Sequence, residues 1–194
     1  VVGVPKKFVK QAIFLVALAA IPMGAYLTLH GDGFRLNRIS VWLNPEDNAA
    51  DGGFQVLQGL YAIGSGGLFG KGLGQSAQKL GFVPESANDM IFSIVCEELG
   101  LFGAVAIIVL FAFIIRRMRI IAGNAPDLFS SLLVVGVMAQ ISVQVVLNIA
   151  VVTNSIPNTG VSLPFISYGG TSILFLLYEM SLVLAVSKQI KRIQ

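Results

Sequence analysis

The sequence predicts an all-α integral membrane protein with four transmembrane helices. Three observations support this fold class. First, 55% of the 194 residues are hydrophobic and 12% are charged, with a mean hydropathy of +0.82, whereas about a quarter of an ordinary globular domain is charged. Second, four segments are long and apolar enough to cross a bilayer. Third, the basic residues cluster beside these segments. Together they exclude a disordered chain, a coiled coil, a disulfide scaffold and a typical soluble enzyme.

The predicted spans cover residues 8–29, 90–115, 128–152 and 170–187, and we treat residues 1–194 as a single membrane domain. Each span supplies the roughly 20 apolar residues that a membrane-crossing helix needs. Pro22 lies inside the first span and predicts a kink there. Because the chain starts at Val1 without an initiator methionine, we expect it to be part of a longer protein whose N-terminal helices are missing.

The basic residues predict the orientation of the spans. Nine of the thirteen lie in three clusters: Lys6, Lys7 and Lys10; Arg116, Arg117 and Arg119; and Lys188, Lys191 and Arg192. Four crossings place all three clusters on one side, which the positive-inside rule identifies as the cytoplasm. Both ends of the chain are therefore expected in the cytoplasm, and residues 30–89 and 153–169 outside. The role of these basic residues in membrane orientation explains the net charge of +3. The positive charge is therefore no indication of nucleic-acid binding, and we expect no nucleic-acid partner.

The long extracellular segment, residues 30–89, is predicted to be partly re-entrant. Sixty structureless residues would be unusual in a compact domain. Residues 54–63 are apolar enough for an interfacial or re-entrant helix, which is tolerated where protein or a water-filled cavity surrounds it. The glycine-rich stretch 64–74 does not match a phosphate-binding loop, because Ser65 and Gly72 stand where glycine and a hydroxyl residue are required. Its glycines instead predict tight turns and close backbone packing.

Polar groups at membrane depth are the candidate functional residues, because they are costly there. Asp89 stands at the start of the second span, where it is either an acidic residue in a first helical turn or a functional carboxylate. Gln140, Gln144 and Asn148 form one stripe on the third span. Such a stripe is more typical of residues that form hydrogen bonds between helices. The alternative is that these side chains line a polar cavity.

Several motifs occur together in this chain. They are residues 67–76, Pro84 with Glu85, residues 89–92, residues 97–100 and residues 163–172. In this order and spacing they resemble the SEDS family (shape, elongation, division and sporulation). Residues 42–46 and 53–55 are more similar to its FtsW and SpoVE branch than to its RodA branch. The resemblance covers essentially the whole chain and implies that it is the C-terminal part of a ten-helix bundle.

The resemblance also implies a function. It implies a peptidoglycan glycosyltransferase that polymerises lipid II at the outer face of the bacterial cytoplasmic membrane during cell division. The implied partners are lipid II and undecaprenyl-linked glycan, a class B penicillin-binding protein and other divisome proteins. The catalytic aspartate of the family falls on Asp89. The candidate substrate-binding residues are Lys71, Pro84, Glu85, Gln144, Ser167, Tyr168, Thr171 and Ser172.

The implied reaction assigns chemical roles to two of these residues. A sugar hydroxyl is a poor nucleophile until a base takes its proton, so Asp89 is the expected general base. A single displacement on a lipid pyrophosphate donor inverts the anomeric carbon and requires no second carboxylate, unlike most glycoside hydrolases. Lys71 is expected at the pyrophosphate. One histidine and one cysteine provide no metal motif. No cofactor is expected, except that a divalent cation (Mg²⁺ or Mn²⁺) shared with Asp89 is left open.

Two other functional classes are kept as alternatives. In a lipid II flippase, the polar stripe and Glu179 would line the transport path. In a scaffold that recruits the penicillin-binding protein, Asp89 would be replaceable. With only four of ten helices, this chain is expected to be inactive alone. It is also expected to be poorly stable, because its buried polar groups would lack partners.

Overall fold

The computed structural model describes residues 33–48, 52–76 and 88–190, together with Leu18. The described residues form five α-helices and no strand, which agrees with the predicted all-α class. The helices are α1 (Gly33–Leu43), α2 (Gly53–Gly66), α3 (Ile91–Gly123), α4 (Leu128–Val152) and α5 (Gly170–Gln189). The first predicted span, residues 8–29, lies outside the described residues except for Leu18.

Three of the described helices are long and apolar enough to cross a membrane: α3, α4 and α5. At 1.5 Å per residue their 33, 25 and 20 residues extend about 50, 37 and 30 Å, against a hydrocarbon core of about 30 Å. The predicted bounds of α4 match the structure, and α5 continues two residues further than predicted. Helix α3 continues from the predicted end at residue 115 to Gly123, so the arginine cluster lies within its last turns.

A continuous apolar core joins the three long helices. On α3 the residues that belong to this core recur at intervals of four, seven or eight, which is one face of a helix. They are Phe92, Cys96, Ala104, Phe111, Met118 and Ala122. This face packs against a similar row on α4, which includes Val134, Ile141 and Val145, and then against Leu176 and Val183 of α5. The outward faces of these helices carry exposed apolar side chains such as Phe113, Phe129 and Phe175, as expected of helices that cross a membrane.

Helix α3 is interrupted at Gly100, and the glycine-rich loop fills the interruption. Gly100 has φ 67° and ψ −163°, which breaks the helical hydrogen bonding. Residues 67–72, hereafter the glycine loop, replace the lost partners on both sides of the break. The bonds run from Lys71 N to Glu97 O (2.9 Å), from Gly72 N to Glu98 O (2.9 Å), from Leu101 N to Gly67 O (3.0 Å) and from Phe102 N to Leu68 O (3.3 Å).

The close approach explains the glycines at this contact. A Cβ atom at Gly70 or Gly100 would overlap backbone atoms of the opposing segment. Both glycines also have positive φ, which L side chains rarely adopt. The predicted role of the glycine-rich stretch in tight turns and close backbone packing is therefore confirmed.

The predicted apolar helix in residues 54–63 falls inside α2, which packs along α3. Helix α1 precedes it in the same segment, so the described part of residues 30–89 is largely ordered into helices and a tight loop rather than a structureless connection.

Candidate active site around Asp89

Asp89 lies in the turn directly before α3 and is half-buried. Its backbone oxygen accepts a hydrogen bond of 2.8 Å from the Asn148 side chain of α4. Its carboxylate faces the loop between α4 and α5, residues 153–169, hereafter the last loop. A Cβ atom built on Gly160 of this loop would lie 3.9 Å from Asp89 Oδ2. The start of α3, the end of α4 and the last loop therefore meet at this carboxylate.

Asn148 holds the three elements together. Its side chain is fully buried, and its amide nitrogen donates to Asp89 O and to Val161 O, both at 2.8 Å. Leaving a buried amide or carbonyl without a partner costs about 1–3 kcal/mol, so these bonds fix the backbone of Asp89 relative to the last loop. Asn148 thus forms hydrogen bonds to neighbouring segments, but its acceptors lie in a turn and a loop rather than in another helix, as the stripe predicted. Gln144 is half-buried one turn earlier, and Gln140 is exposed.

The last loop approaches Asp89 through Gly160. This residue has φ 67°, a conformation that favours glycine, and its amide donates to Asn158 Oδ1 at 3.0 Å. Because glycine has no side chain, the backbone of the loop itself lies next to the Asp89 carboxylate. The uncharged loop is therefore ordered around the site, as its prolines and glycines predict.

A second polar cluster lies on α3, where Glu97 is completely buried. Glu97 Oε1 is 2.6 Å from Lys71 Nζ, and the Ser76 hydroxyl donates to Glu97 Oε2. The Ser65 hydroxyl lies 3.5 Å from Oε1 at the end of α2. A buried carboxylate needs a counter-charge and hydrogen-bond donors, and this cluster supplies both. The ion pair therefore fastens the glycine loop to the break in α3.

The structure describes six of the eight predicted substrate-binding residues, and their surroundings differ; one of them is Gln144, which is half-buried as noted above. Lys71 is the ion-pair partner of Glu97, and 37% of its side chain is exposed. Ser167 is buried, and its hydroxyl accepts a 2.7 Å hydrogen bond from Leu163 N, which stabilises the turn of the last loop. Tyr168, Thr171 and Ser172 are exposed around the start of α5. Pro84 and Glu85 lie outside the described residues.

Sequence reasoning did not find the contact between Lys71 and Glu97 or the role of Ser76. The two ends of the ion pair are 26 residues apart, in segments with no shared pattern. The signal present in the sequence was a carboxylate in an apolar span, which indicates that some partner exists without naming it. Within the described ranges, no group of three or more His, Cys, Asp or Glu side chains is arranged to hold a metal ion.

Comparisons with known proteins identify relatives over nearly the whole chain. The FtsW/RodA/SpoVE family model, described as a cell cycle protein, matches residues 2–192. Stage V sporulation protein E of Bacillus subtilis is 48% identical over 155 residues, which are 80% of this chain and 42% of that protein. A protein named "Probable peptidoglycan glycosyltransferase FtsW" of Trichlorobacter lovleyi is 41% identical over 174 residues, which are 90% of this chain and 45% of that protein. The chain thus spans less than half the length of these relatives.

Solved structures share the fold. One, described as "Structural coordination of polymerization and crosslinking by a peptidoglycan synthase complex", superposes with a TM-score of 0.72 at 26% identity, covering 98% of this chain and 51% of the other. The rod shape determining protein RodA of Thermus thermophilus, crystallised as an aspartate-to-alanine variant, superposes with a TM-score of 0.53 at 29% identity. That match covers 92% of this chain and 57% of the other.

Proposed function

This chain belongs to the FtsW/RodA/SpoVE family of multi-pass membrane proteins, and we propose that it carries the active site of a peptidoglycan glycosyltransferase that polymerises lipid II. Asp89 is the general base in this proposal. The names of the curated relatives support the reaction class. The observation that carries the choice of Asp89 is its half-buried carboxylate beside Gly160, held there through the hydrogen bonds of Asn148.

The proposed step is a single displacement. Asp89 takes the proton from the 4-hydroxyl of the acceptor sugar as that oxygen bonds to the anomeric carbon of the donor. The bond from this carbon to the lipid pyrophosphate breaks, and the pyrophosphate leaves with the electron pair. The α-linked donor is thereby inverted to a β linkage without a covalent sugar–enzyme intermediate. A positioned base of this kind contributes about 10²- to 10⁴-fold to the rate.

Lys71 is proposed as a contact for the pyrophosphate. A lysine ammonium has three hydrogen-bond donors, and the ion pair with Glu97 needs only one of them. The exposed part of the side chain leaves the others accessible to a phosphate oxygen. The exposed hydroxyls of Tyr168, Thr171 and Ser172 are proposed to contact the sugar and peptide portions of the substrate, as are Pro84, Glu85, Gln144 and the loop turn held by Ser167.

A divalent cation at the pyrophosphate, Mg²⁺ or Mn²⁺, is compatible with the residues present. Mg²⁺ typically binds one or two protein carboxylates together with substrate phosphates and waters. The Asp89 carboxylate is therefore sufficient as the protein ligand. The cation would offset the charge of the leaving pyrophosphate.

The membrane setting is proposed from the basic clusters. With four crossings, both ends of the chain lie in the cytoplasm and Asp89 lies at the outer face. The glycine loop, lodged beside the break in α3, is the part of the outer segment that re-enters the membrane. The proposed partner is a class B penicillin-binding protein within the division machinery. The structural neighbour described as a peptidoglycan synthase complex supports a partner of this kind.

The test uses the full-length protein with its transpeptidase partner and fluorescent lipid II, with the polymer separated on gels. Asp89→Asn is expected to lower the polymerisation rate at least about 100-fold, because the amide cannot accept the proton. Asp47→Asn is the matched control, since Asp47 is exposed in the same segment. Its rate is expected to equal that of the wild type.

Three results would contradict the proposal. One is an Asp89→Asn rate above a tenth of the wild-type rate in a complex that still assembles. The second is an equal loss in Asp47→Asn. The third is movement of labelled lipid II across vesicles without any polymer, which would identify a transporter instead.

A further inference from the structure

A cavity of about 210 Å³ lies beside the last loop and is separate from the groups assigned above. It is enclosed by α1, the start of α2, the end of α4 and the loop that follows α4. Its polar lining includes Arg38 and Trp42 of α1, Gln55 of α2, and Asn154 and Asn158 of the loop. We refer to it as the α1–α2 cavity.

The walls of the α1–α2 cavity are fixed by hydrogen bonds between distant parts of the chain. The Trp42 indole donates to Asn154 O at 2.9 Å, and the Asn154 side chain donates back to Trp42 O at 3.3 Å. The Arg38 guanidinium donates to Asn158 O at 3.1 Å. These three bonds join residues at least 112 positions apart, so the cavity is preformed rather than a gap in a loose loop.

The lining chemistry is that of a carbohydrate site. Gln55 is half-buried and makes no side-chain hydrogen bond with any described residue, so its amide offers both donors and an acceptor. Trp42 supplies aromatic surface, and among the residues that the structure describes the lining contains Arg38 but no Asp or Glu. A sugar ring combines hydroxyls with an apolar face, which this lining matches. The volume is below the roughly 300–1,000 Å³ of pockets for drug-sized ligands, so it suits one ring.

The cavity also lies close to Asp89. Its wall residue Asn158 is two positions before Gly160, which faces the Asp89 carboxylate. Two residues span at most about 7 Å of chain. We propose that the α1–α2 cavity binds one hexosamine ring of the glycan strand while the end of that strand reacts at Asp89. This inference rests on the proposed function, since the glycan strand is the substrate named there.

The test measures binding of a soluble glycan without requiring turnover. Chitotetraose, a β-1,4-linked tetramer of N-acetylglucosamine, is titrated against the full-length protein with its partner in nanodiscs, with saturation-transfer NMR as the readout. Gln55→Leu removes the polar group and keeps a side chain of similar size. Gln58→Leu is the matched control, because Gln58 is half-buried on the same helix and does not line the cavity.

Gln55→Leu is expected to weaken chitotetraose binding about 3- to 10-fold, the effect of losing one or two hydrogen bonds to an uncharged ligand. Gln58→Leu is expected to stay within twofold of the wild type. No binding to the wild type, or equal affinities of the two glutamine variants, would overturn the inference.

The two proposals fail separately in this design. Polymerisation by Asp89→Asn would refute the general base and leave the glycan-binding result intact. Loss of the difference between Gln55→Leu and Gln58→Leu would refute the sugar cavity and leave the general base intact.

Discussion

Replacing Lys71 with methionine tests whether its ion pair with Glu97 fastens the glycine loop to the break in α3. Methionine keeps an unbranched, flexible chain and removes only the ammonium group. In the variant, Glu97 retains the hydrogen bond from Ser76 but loses the positive charge of Lys71, and its side chain is completely buried. The variant therefore isolates the electrostatic part of the contact.

The expected cost follows from the burial of each partner. Removing one partner of a fully buried ion pair costs about 3–5 kcal/mol, whereas exposed pairs contribute about 0–1 kcal/mol. Glu97 is completely buried but the Lys71 side chain is 37% exposed, so water screens part of the interaction. We expect Lys71→Met to lower the free energy of unfolding by about 2–3 kcal/mol. Glu97→Gln should lower the free energy of unfolding by a smaller amount, about 1–2 kcal/mol, because the released lysine can reach water.

The assay is unfolding of the full-length protein in mixed micelles with an increasing fraction of SDS, which yields the free energy of unfolding of each variant. Lys188→Met is the control, because Lys188 is exposed at the end of α5 and makes no salt bridge with a described residue. The double variant Lys71→Met/Glu97→Gln completes a thermodynamic cycle. The loss of unfolding free energy in the double variant should be about 1–2 kcal/mol smaller than the sum of the losses in the two single variants.

Two results would refute this reasoning. The first is a Lys71→Met stability within about 0.5 kcal/mol of Lys188→Met, which is the normal scatter of surface substitutions. The second is additivity of the two single costs in the double variant, which would show that the two side chains do not interact.

Two further predictions concern a glycine and a helix cap. Gly100→Ala should lower the free energy of unfolding by at least about 2 kcal/mol, because the new Cβ would overlap Gly70 and strain a positive φ. Gly136→Ala has open space in α4 and should be neutral or stabilising by up to about 1 kcal/mol; equal losses in the same assay would contradict the packing argument. Hydrogen bonds from the side chain and backbone of Ser130 hold the pKa of Asp127, the N-cap of α4, below its usual value of 3.8. Because the folded pKa is the lower one, its stabilisation is present above about pH 4 and lost on further acidification. Asp127→Ala should thus lower the Tm at pH 7 but much less at pH 3, and a pH-independent difference would contradict this assignment.

The spans were predictable because each is encoded locally. The predicted span 128–152 coincides with α4, which starts after a capping aspartate and carries no charged residue. The predicted span 90–115 is shorter than α3, because hydropathy falls at the arginines. Its helical hydrogen bonds continue to Gly123 regardless, since a helix satisfies its backbone in water as well as in lipid.

The candidate site was predictable only in part. A polar residue in an apolar span is informative by itself, which is how Asp89 and Asn148 could be found. The interruption at Gly100 was not predicted, because this glycine lies inside the predicted span 90–115, which was treated as one continuous helix. It depends on the glycine loop, which lies about 30 positions earlier in the chain and supplies the missing hydrogen bonds.

The sequence by itself determined the class of the protein, the three described spans and the family, since composition, hydropathy and motifs are read along the chain without knowing its contacts. Only the tertiary structure decided that Lys71 pairs with Glu97, that Asn148 ties Asp89 to the last loop, and that α1 and α2 enclose a cavity beside it. The physical reason is the range of the interactions. Helices form from hydrogen bonds between neighbouring residues, whereas these contacts join positions 13 to 120 residues apart, which packing alone brings together.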